Sequence, residues 1–131
     1  MKKNMFLMIC FLALPLFASA GDKPSLPKAC QIWSYTGTWS GGVETGTWNF
    51  TEGHNPGTMT GHGSSSWSGG SATYTLTATV TPLHKVFVER KDTSGGQCNY
   101  SGFQIGNQIS GTYVCSGAAP GNTWSAVVSQ C

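Results

Sequence analysis

Charged residues are scarce in this sequence, and their scarcity excludes two kinds of partner. Asp, Glu, Lys and Arg together make up 9% of the 131 residues, and the formal net charge is +2. Lys2 and Lys3 lie in a segment that we expect to be removed. Without them the formal charge is 0, because five basic residues face five acidic ones. Nucleic acids require a basic patch and anionic membranes attract basic segments. We therefore expect no nucleic-acid partner and no binding to a membrane surface.

Long apolar runs are also lacking, apart from one near the N-terminus that spans Met5 to Phe17 and contains Pro15. A membrane-spanning helix needs about 20 apolar residues, so we expect no membrane span. Lys2 and Lys3 precede the run and Ala18-Ser19-Ala20 follows it, which is typical of a secretory signal. The sequence thus predicts export to the periplasm or the cell exterior. Three segments are expected: a signal peptide over 1–20, an extended segment over 21–29 and a single domain over 30–131.

The cysteines are spaced too widely for a zinc site. No two of Cys30, Cys98, Cys115 and Cys131 are two to four residues apart, as zinc ligands commonly are. The fifth cysteine, Cys10, lies inside the predicted signal peptide, so four remain, and an even number of cysteines in an exported chain indicates disulfides. A two-residue hairpin turn at Gly106-Asn107 places Cys98 opposite Cys115, within disulfide range. The predicted bridges are therefore Cys98–Cys115 and, from the remaining pair, Cys30–Cys131.

Sequence patterns of known active sites are absent. There is no G-x-S-x-G, no phosphate-cradling glycine loop and no Cys/His nucleophile pattern. His54, His62 and His84 have no carboxylate or cysteine at metal-ligand spacing. Nothing in the sequence pairs the acidic residues as in a glycosidase. Glu44 is expected at a solvated rim, with Arg90 as its partner if it is buried. We predict no catalytic residue, no metal site, no cofactor and no enzymatic activity.

Short runs of alternating polar and apolar residues are abundant. In Ser71–Thr81, apolar side chains alternate with threonines, which indicates a strand with one buried face and one wet face. Seven further candidate strands are separated by Gly, Asn and Pro turns. The eight candidates are Gln31–Ser40, Val43–Phe50, Thr58–Ser68, Ser71–Thr81, Lys85–Lys91, Cys98–Ile105, Gln108–Cys115 and Thr123–Cys131.

Consecutive strands with short connections and bridged ends predict an all-β fold. We expect a small antiparallel up-and-down eight-stranded β-barrel, which removes its own sheet edges. A two-sheet β-sandwich is the alternative, and an outer-membrane barrel ranks third because the outer face of the best strand is threonine. Turns at Gly41-Gly42 and Gly69-Gly70 would place Tyr35 opposite Trp48 and Met59 opposite Val80, so that apolar side chains meet.

Large aromatic rings fall on the predicted inner face, interleaved with glycines. Such a face can line a cavity for one small ligand, or the rings can pack over bare backbone and fill the barrel. Trp39 and Trp67 lie near strand ends and alternatively form an exposed rim for a sugar or a protein. The aromatic candidates for ligand binding are Trp33, Tyr35, Trp39, Trp48, Tyr74, Tyr100 and Trp124.

The first strand contains Gly37-Thr38-Trp39, and this G-x-W strand resembles the opening strand of the calycin group, which includes the lipocalins and avidins. The likeness to avidins extends to Thr60-Gly61, Tyr74–Thr77 and Trp124. The resemblance implies a barrel with an open end and a small-molecule pocket. Among the residues that avidins use for biotin, Ser65 and Trp124 alone are matched. The resemblance therefore adds Ser65 to the ligand candidates but does not imply biotin binding.

The sequence favours a secreted or periplasmic noncatalytic protein that binds a small apolar or aromatic ligand in an aromatic-lined barrel. The alternative is a protein-recognition module, such as an inhibitor of an extracellular hydrolase, that acts through loops 51–57, 92–97 and 116–122. The expected partner is thus a small molecule or an extracellular protein. The sequence contains no indication of the oligomeric state.

Overall fold

The computed structural model describes residues 30–53, 57–118 and 121–131. The predicted signal peptide (1–20), the predicted extended segment (21–29) and His54 lie outside the described residues. The eight strands are β1 (Cys30–Trp39), β2 (Gly42–Glu52), β3 (Thr58–Trp67), β4 (Gly70–Val80), β5 (Lys85–Asp92), β6 (Gln97–Ile105), β7 (Gln108–Cys115) and β8 (Asn122–Gln130).

The sheet closes on itself. Each strand pairs with its sequence neighbours, and β1 also pairs antiparallel with β8. The prediction of an all-β, up-and-down eight-stranded barrel is confirmed, and the sandwich alternative is wrong. Every predicted strand overlaps an observed one. In the described part of the chain, no helix is long and apolar enough to cross a membrane.

Alternation along the strands produces the core. In β4, Tyr74, Leu76 and Ala78 are buried, whereas Thr73, Thr75, Thr77 and Thr79 are exposed. Successive side chains of a strand point to opposite faces, so one set enters the barrel and the other meets water. Because the barrel has a single interior, all eight strands contribute to one core.

Both predicted disulfides are confirmed. Cys98 and Cys115 lie directly opposite each other on β6 and β7, with Cα atoms 3.9 Å apart. Cys30–Cys131 joins the beginning of β1 to the residue after β8, with Cα atoms 5.5 Å apart. Disulfides persist in oxidising compartments, so the two bridges are consistent with the periplasm or the cell exterior.

Two predicted hairpin registers are wrong by two residues. Trp33, rather than Tyr35, lies opposite Trp48, and Met59 lies opposite Ala78 rather than Val80. The turns are one residue earlier than predicted, so the strands end at Trp39 and Trp67. These tryptophans pair with Gly42 and Gly70, which have no side chain to obstruct the indole rings. A shift of two residues preserves the face of each side chain, and the predicted inward set is therefore unaffected.

The connections alternate between the two ends of the barrel. The connections β1–β2, β3–β4, β5–β6 and β7–β8 lie at one end, here called the pocket end. The connections β2–β3, β4–β5 and β6–β7 lie at the other end, together with Cys30 and Cys131. Residues 92–97 and the described residues of 116–122 therefore lie at the pocket end, whereas the described residues of 51–57 lie at the opposite end. The three segments named for protein recognition are thus divided between the two ends, because an up-and-down chain reverses direction at every turn.

Candidate functional site

Aromatic rings occupy the middle of the barrel. Trp48, which is fully buried, lies at their centre. Its ring centroid is 4.3 Å from that of Tyr35, 5.1 Å from that of Tyr100 and 5.8 Å from that of Trp124. Trp33 completes the cluster at 6.1 Å from Trp48. At these distances the rings are in mutual contact, and they fill the barrel at this level.

A layer of buried polar groups lies next to the rings, towards the pocket end. Arg90 Nη1 donates to both carboxylate oxygens of Glu44, at 3.0 and 3.2 Å. The hydroxyls of Tyr35 and Ser65 also donate to this carboxylate. Glu44 and Arg90 are each only 5% exposed. The expectation of a solvated rim position for Glu44 is therefore wrong, and Arg90 is its partner, because a buried charge requires a counter-charge.

Glycine makes room for this polar layer. Glu44 on β2 lies opposite Gly37 on β1. A Cβ atom at Gly37 would lie 2.1 Å from the Tyr35 hydroxyl oxygen, so any side chain there would displace the hydroxyl that donates to Glu44. In the G-x-W strand, Gly37 and Trp39 therefore lie on the same inward face, and the hydroxyl of Tyr35 fills the space that a side chain at Gly37 would take.

Arg90 is held on three sides. Its guanidinium carbon lies 3.8 Å from the centroid of the Tyr74 ring, which is a cation–π contact. Its Nε donates to Asp92 Oδ1 at 2.7 Å. Burial alone would lower the pKa of Arg90, but the Asp92 hydrogen bond, Tyr100 and Glu44 outweigh it and raise that pKa. The guanidinium is therefore charged at every physiological pH.

Burial also keeps the tyrosines of this layer neutral. It raises the pKa of Tyr35 and that of Tyr100 well above the ordinary value for a phenol. The two hydroxyls lie 3.1 Å apart, and Arg90 Nη1 donates to the Tyr100 oxygen at 3.2 Å. Neutral phenols can donate to a carboxylate, so this layer stabilises the charge of Glu44.

A cavity of about 590 Å³ opens at the pocket end, above the polar layer. Trp39 and Trp67 are partly exposed and line it, together with the charged groups of Glu44, Arg90 and Asp92. The remaining lining residues belong to the upper wall and the loops: Ser40, Gly96, Gln97, Cys98, Tyr113, Cys115, Ser116, Ala118, Gly121 and Asn122. Its volume is within the range of about 300–1,000 Å³ that is typical of small-molecule sites.

The two rim tryptophans occur in a repeated motif. Trp39-Ser40-Gly41-Gly42 recurs as Trp67-Ser68-Gly69-Gly70, and each copy forms a hairpin turn at the pocket end. In each copy the indole extends over its own turn, since a Cβ atom at Gly42 or Gly70 would lie 3.4 or 3.3 Å from ring carbon Cζ2. The two hairpins are adjacent because β2 pairs with β3. The repeat is visible in the sequence, and it could have identified Trp39 and Trp67 as a pair of equivalent residues at the rim.

The indole N–H groups distinguish the rim from the interior. Trp33 Nε1 donates to Gln31, Trp48 Nε1 to Tyr74 and Trp124 Nε1 to the Ser101 carbonyl. Trp39 and Trp67 donate to no acceptor among the described residues. Their N–H groups are therefore available to solvent or to a ligand.

Seven of the eight candidate ligand residues lie below the cavity. Trp39 alone of the eight lines it. Trp33, Tyr35, Trp48, Tyr74, Tyr100 and Trp124 pack in the interior, and Ser65 is in the polar layer. Sequence analysis missed Asp92 and Tyr113 as lining residues and named Trp67 only as a rim residue. The inward alternation of β5 and β7 was sufficient to place Asp92 and Tyr113 on the inner face.

The histidines within the described residues lie outside the cavity. His62 is exposed on β3, and His84 is exposed in the β4–β5 turn with a φ of 66°. In the ranges that the structure describes, no group of three or more His, Cys, Asp or Glu side chains could hold a metal ion. The absence of a metal site or a cofactor remains a prediction.

Comparison with known proteins identifies the fold but no family. No protein-family model matches the chain, and no curated protein matches it. Among solved structures it is similar to a de novo designed fluorescence-activating β-barrel, with a TM-score of 0.58 and 13% identity over 81% of this chain and 94% of that chain. At this identity the likeness shows the barrel fold alone. Membership of the calycin or avidin family is not confirmed.

Proposed function

We propose that this is an exported, noncatalytic binding protein that holds a small ligand in the cavity at the pocket end. The observation that carries the proposal is the cavity itself. Its rim consists of two partly exposed indoles with free N–H groups, and Glu44, Arg90 and Asp92 line it below. Apolar walls with a few convergent polar groups are typical of ligand sites.

The filled interior favours a ligand position at the mouth rather than at the centre of the barrel. Trp48 and Trp33 are 0% exposed and in contact with their neighbours, so a ligand at that level would have to displace rings. A ligand at the mouth displaces only solvent. The packed rings then act as a rigid support, which lowers the entropic cost of ordering the site when a ligand binds.

The hydrogen bonding of Glu44 supports a noncatalytic role. Both oxygens of Glu44 accept hydrogen bonds, from Arg90, Tyr35 and Ser65. A carboxylate satisfied in this way is a poor general base, because its lone pairs are already used. A designed barrel of the same fold is fluorescence-activating, which is compatible with a ligand site in such a scaffold.

Indole NMR tests the proposal. The protein has five tryptophans, and ¹⁵N-labelled indoles give one N–H signal each, assignable by single Trp→Phe variants. On titration with 4-tert-butylphenol, the signals of Trp39 and Trp67 should shift. The signal of Trp33 should not, because its N–H is bonded to Gln31.

Variants sharpen this test. Trp39→Ala should weaken binding of the phenol about fivefold, since a stacked ring contributes on the order of 1 kcal/mol. Phe103→Ala removes an outward ring that is 55% exposed on β6 and should leave the affinity unchanged. Shifts confined to Trp33, Trp48 and Trp124, or equal losses in both variants, would rule out a site at the mouth.

The protein-recognition alternative depends on the same end of the barrel. Loops 92–97 and 116–122 border the cavity, and the half-buried Trp39 and Trp67 lie beside them. Aromatic side chains at a loop-lined rim are also typical of protein interfaces. If the protein and the small ligand use the same surface, a saturating concentration of ligand should release a hydrolase that this chain inhibits. Inhibition that is unaffected by the ligand would show that the two bind at different surfaces.

A further inference from the structure

We propose that the cavity selects a ligand that carries a single positive charge on a compact apolar group, such as a quaternary ammonium attached to an aromatic or aliphatic body. The inference rests on the proposed function, since it specifies the chemistry of the ligand in that same cavity. Three features carry it: the net charge of the lining, the free oxygen of Asp92 and the two rim indoles.

The cavity lining has an excess of negative charge. Its ionisable groups are Glu44, Arg90, Asp92 and Tyr113. Burial raises the pKa of Tyr113, and its phenol is therefore neutral. Two carboxylates and one guanidinium remain, which gives a formal charge of −1. In a site that is partly shielded from water, one uncompensated charge favours the binding of a cation over a neutral molecule of the same shape.

The uncompensated charge lies on Asp92. Glu44 is neutralised by Arg90 and receives hydrogen bonds on both oxygens. Asp92 Oδ1 accepts from Arg90 Nε, whereas Oδ2 accepts from no group among the described residues. The Asp92 side chain is also more exposed than that of Arg90, at 21% against 6%. Oδ2 is thus the oxygen that a bound cation can approach.

The rim supplies aromatic faces for the same cation. Trp39 and Trp67 both line the cavity and are both held over glycines of their own turns. Indole is the best side chain for cation–π attraction, and cages of aromatic rings are the common means of binding quaternary ammonium groups. Two such rings above a carboxylate attract a cation by two independent effects.

The same arrangement disfavours anions. Arg90 could attract one, but its guanidinium is stacked on Tyr74 and bonded to two carboxylates. An anion near its remaining nitrogen, Nη2, would also be close to Glu44 and Asp92, and like charges repel. The expected order of affinity is therefore cation, then neutral molecule, then anion.

Three phenols of similar shape test this order. Their para substituents are tetrahedral groups of different charge: trimethylammonium, tert-butyl and sulfonate. Isothermal titration calorimetry at low ionic strength compares the three on the complete mature protein. The trimethylammonium phenol should bind about tenfold more tightly than 4-tert-butylphenol, and the sulfonate should bind most weakly.

A pair of variants on one strand assigns the charge. Asp92→Asn should reduce the preference for the cation, taken as the ratio of the affinities for the two phenols, to about threefold or less. Because both affinities are measured on the same variant, a general loss of binding does not change this ratio. Glu89→Gln is the control, because Glu89 lies on the outer face of the same strand with its side chain 45% exposed. It should leave the full preference for the cation.

The outcomes separate this inference from the function on which it rests. If the cation and the neutral phenol bind equally, or the sulfonate binds most tightly, the charge inference is overturned while ligand binding at the mouth stands. If Asp92→Asn keeps the full preference, the role of Asp92 is overturned. If no phenol binds and the Trp39 and Trp67 signals do not move, both proposals fail.

Discussion

Removing Arg90 should expose how strongly the interior depends on its buried ion pair. In Arg90→Met, Glu44 would keep the hydroxyls of Tyr35 and Ser65 but lose its only cationic partner within the described residues. Breaking a buried pair on one side typically costs about 3–5 kcal/mol. We therefore expect the free energy of unfolding to fall by about 4 kcal/mol, because Glu44 is 5% exposed and would be left without a counter-charge.

Urea unfolding followed by tryptophan fluorescence measures this loss. With a slope of about 2 kcal/mol/M, the midpoint should fall by about 2 M. Lys91→Met is the matched control, since Lys91 is the next residue on β5 and its side chain is 62% exposed. Its surface pair with Glu89 should contribute within about 0.5 kcal/mol.

The double variant Glu44→Gln with Arg90→Met provides the decisive comparison. Without charge on either side, the layer should regain most of the lost stability, because neutral replacements of a buried pair are often harmless. The reasoning fails if Arg90→Met costs under about 1 kcal/mol or the double variant is no more stable than the single one.

Three further changes test other parts of the structure. Gly41→Ala should move the Trp39 indole signal and weaken ligand binding, because the new Cβ would lie 2.8 Å from Nε1. Gly69→Ala in the other copy should change neither the indole signal nor the affinity, because its Cβ would lie 3.5 Å from Trp67 Nε1, which is ordinary contact. Removing the Cys30–Cys131 bridge, whose ends are 101 residues apart, should cost up to about 4.7 kcal/mol in thermal or urea unfolding. Alkali should unfold the protein, because burial raises the pKa of Tyr35. The contribution of its neutral phenol to stability is complete below about pH 10 and is lost as the pH rises further. The absorbance of phenolate, followed during a titration with alkali, measures this loss.

Local pattern was sufficient for the fold. The alternation in β4 identified its buried face, and the Gly106-Asn107 turn fixed the register that brings Cys98 opposite Cys115. Both signals are short-range, because the geometry of a strand fixes the face on which each side chain lies and a two-residue turn fixes which residues lie opposite each other. The other two glycine turns were placed one residue late, because Gly-Gly and Ser-Gly are equally suited to a turn. Only the room needed by the Trp39 and Trp67 rings decides between them.

The site was harder to predict because its parts meet only when the sheet closes. Glu44 and Arg90 are 46 residues apart in the chain, and no spacing rule links β2 to β5 across a barrel interior. Sequence analysis placed the aromatic candidates correctly on the inner face but could not tell filled levels from open ones. That distinction depends on ring packing around Trp48 and on the depth of each residue along its strand.

The bridge between Cys30 and Cys131 turns the covalent backbone of the domain into a ring. A protease that cuts any single turn between these residues would therefore release no fragment, and the two pieces would stay joined through sulfur with the strands still paired. The mouth of the barrel would stay assembled after one such nick, and release of a fragment would require a second cut or a reductant.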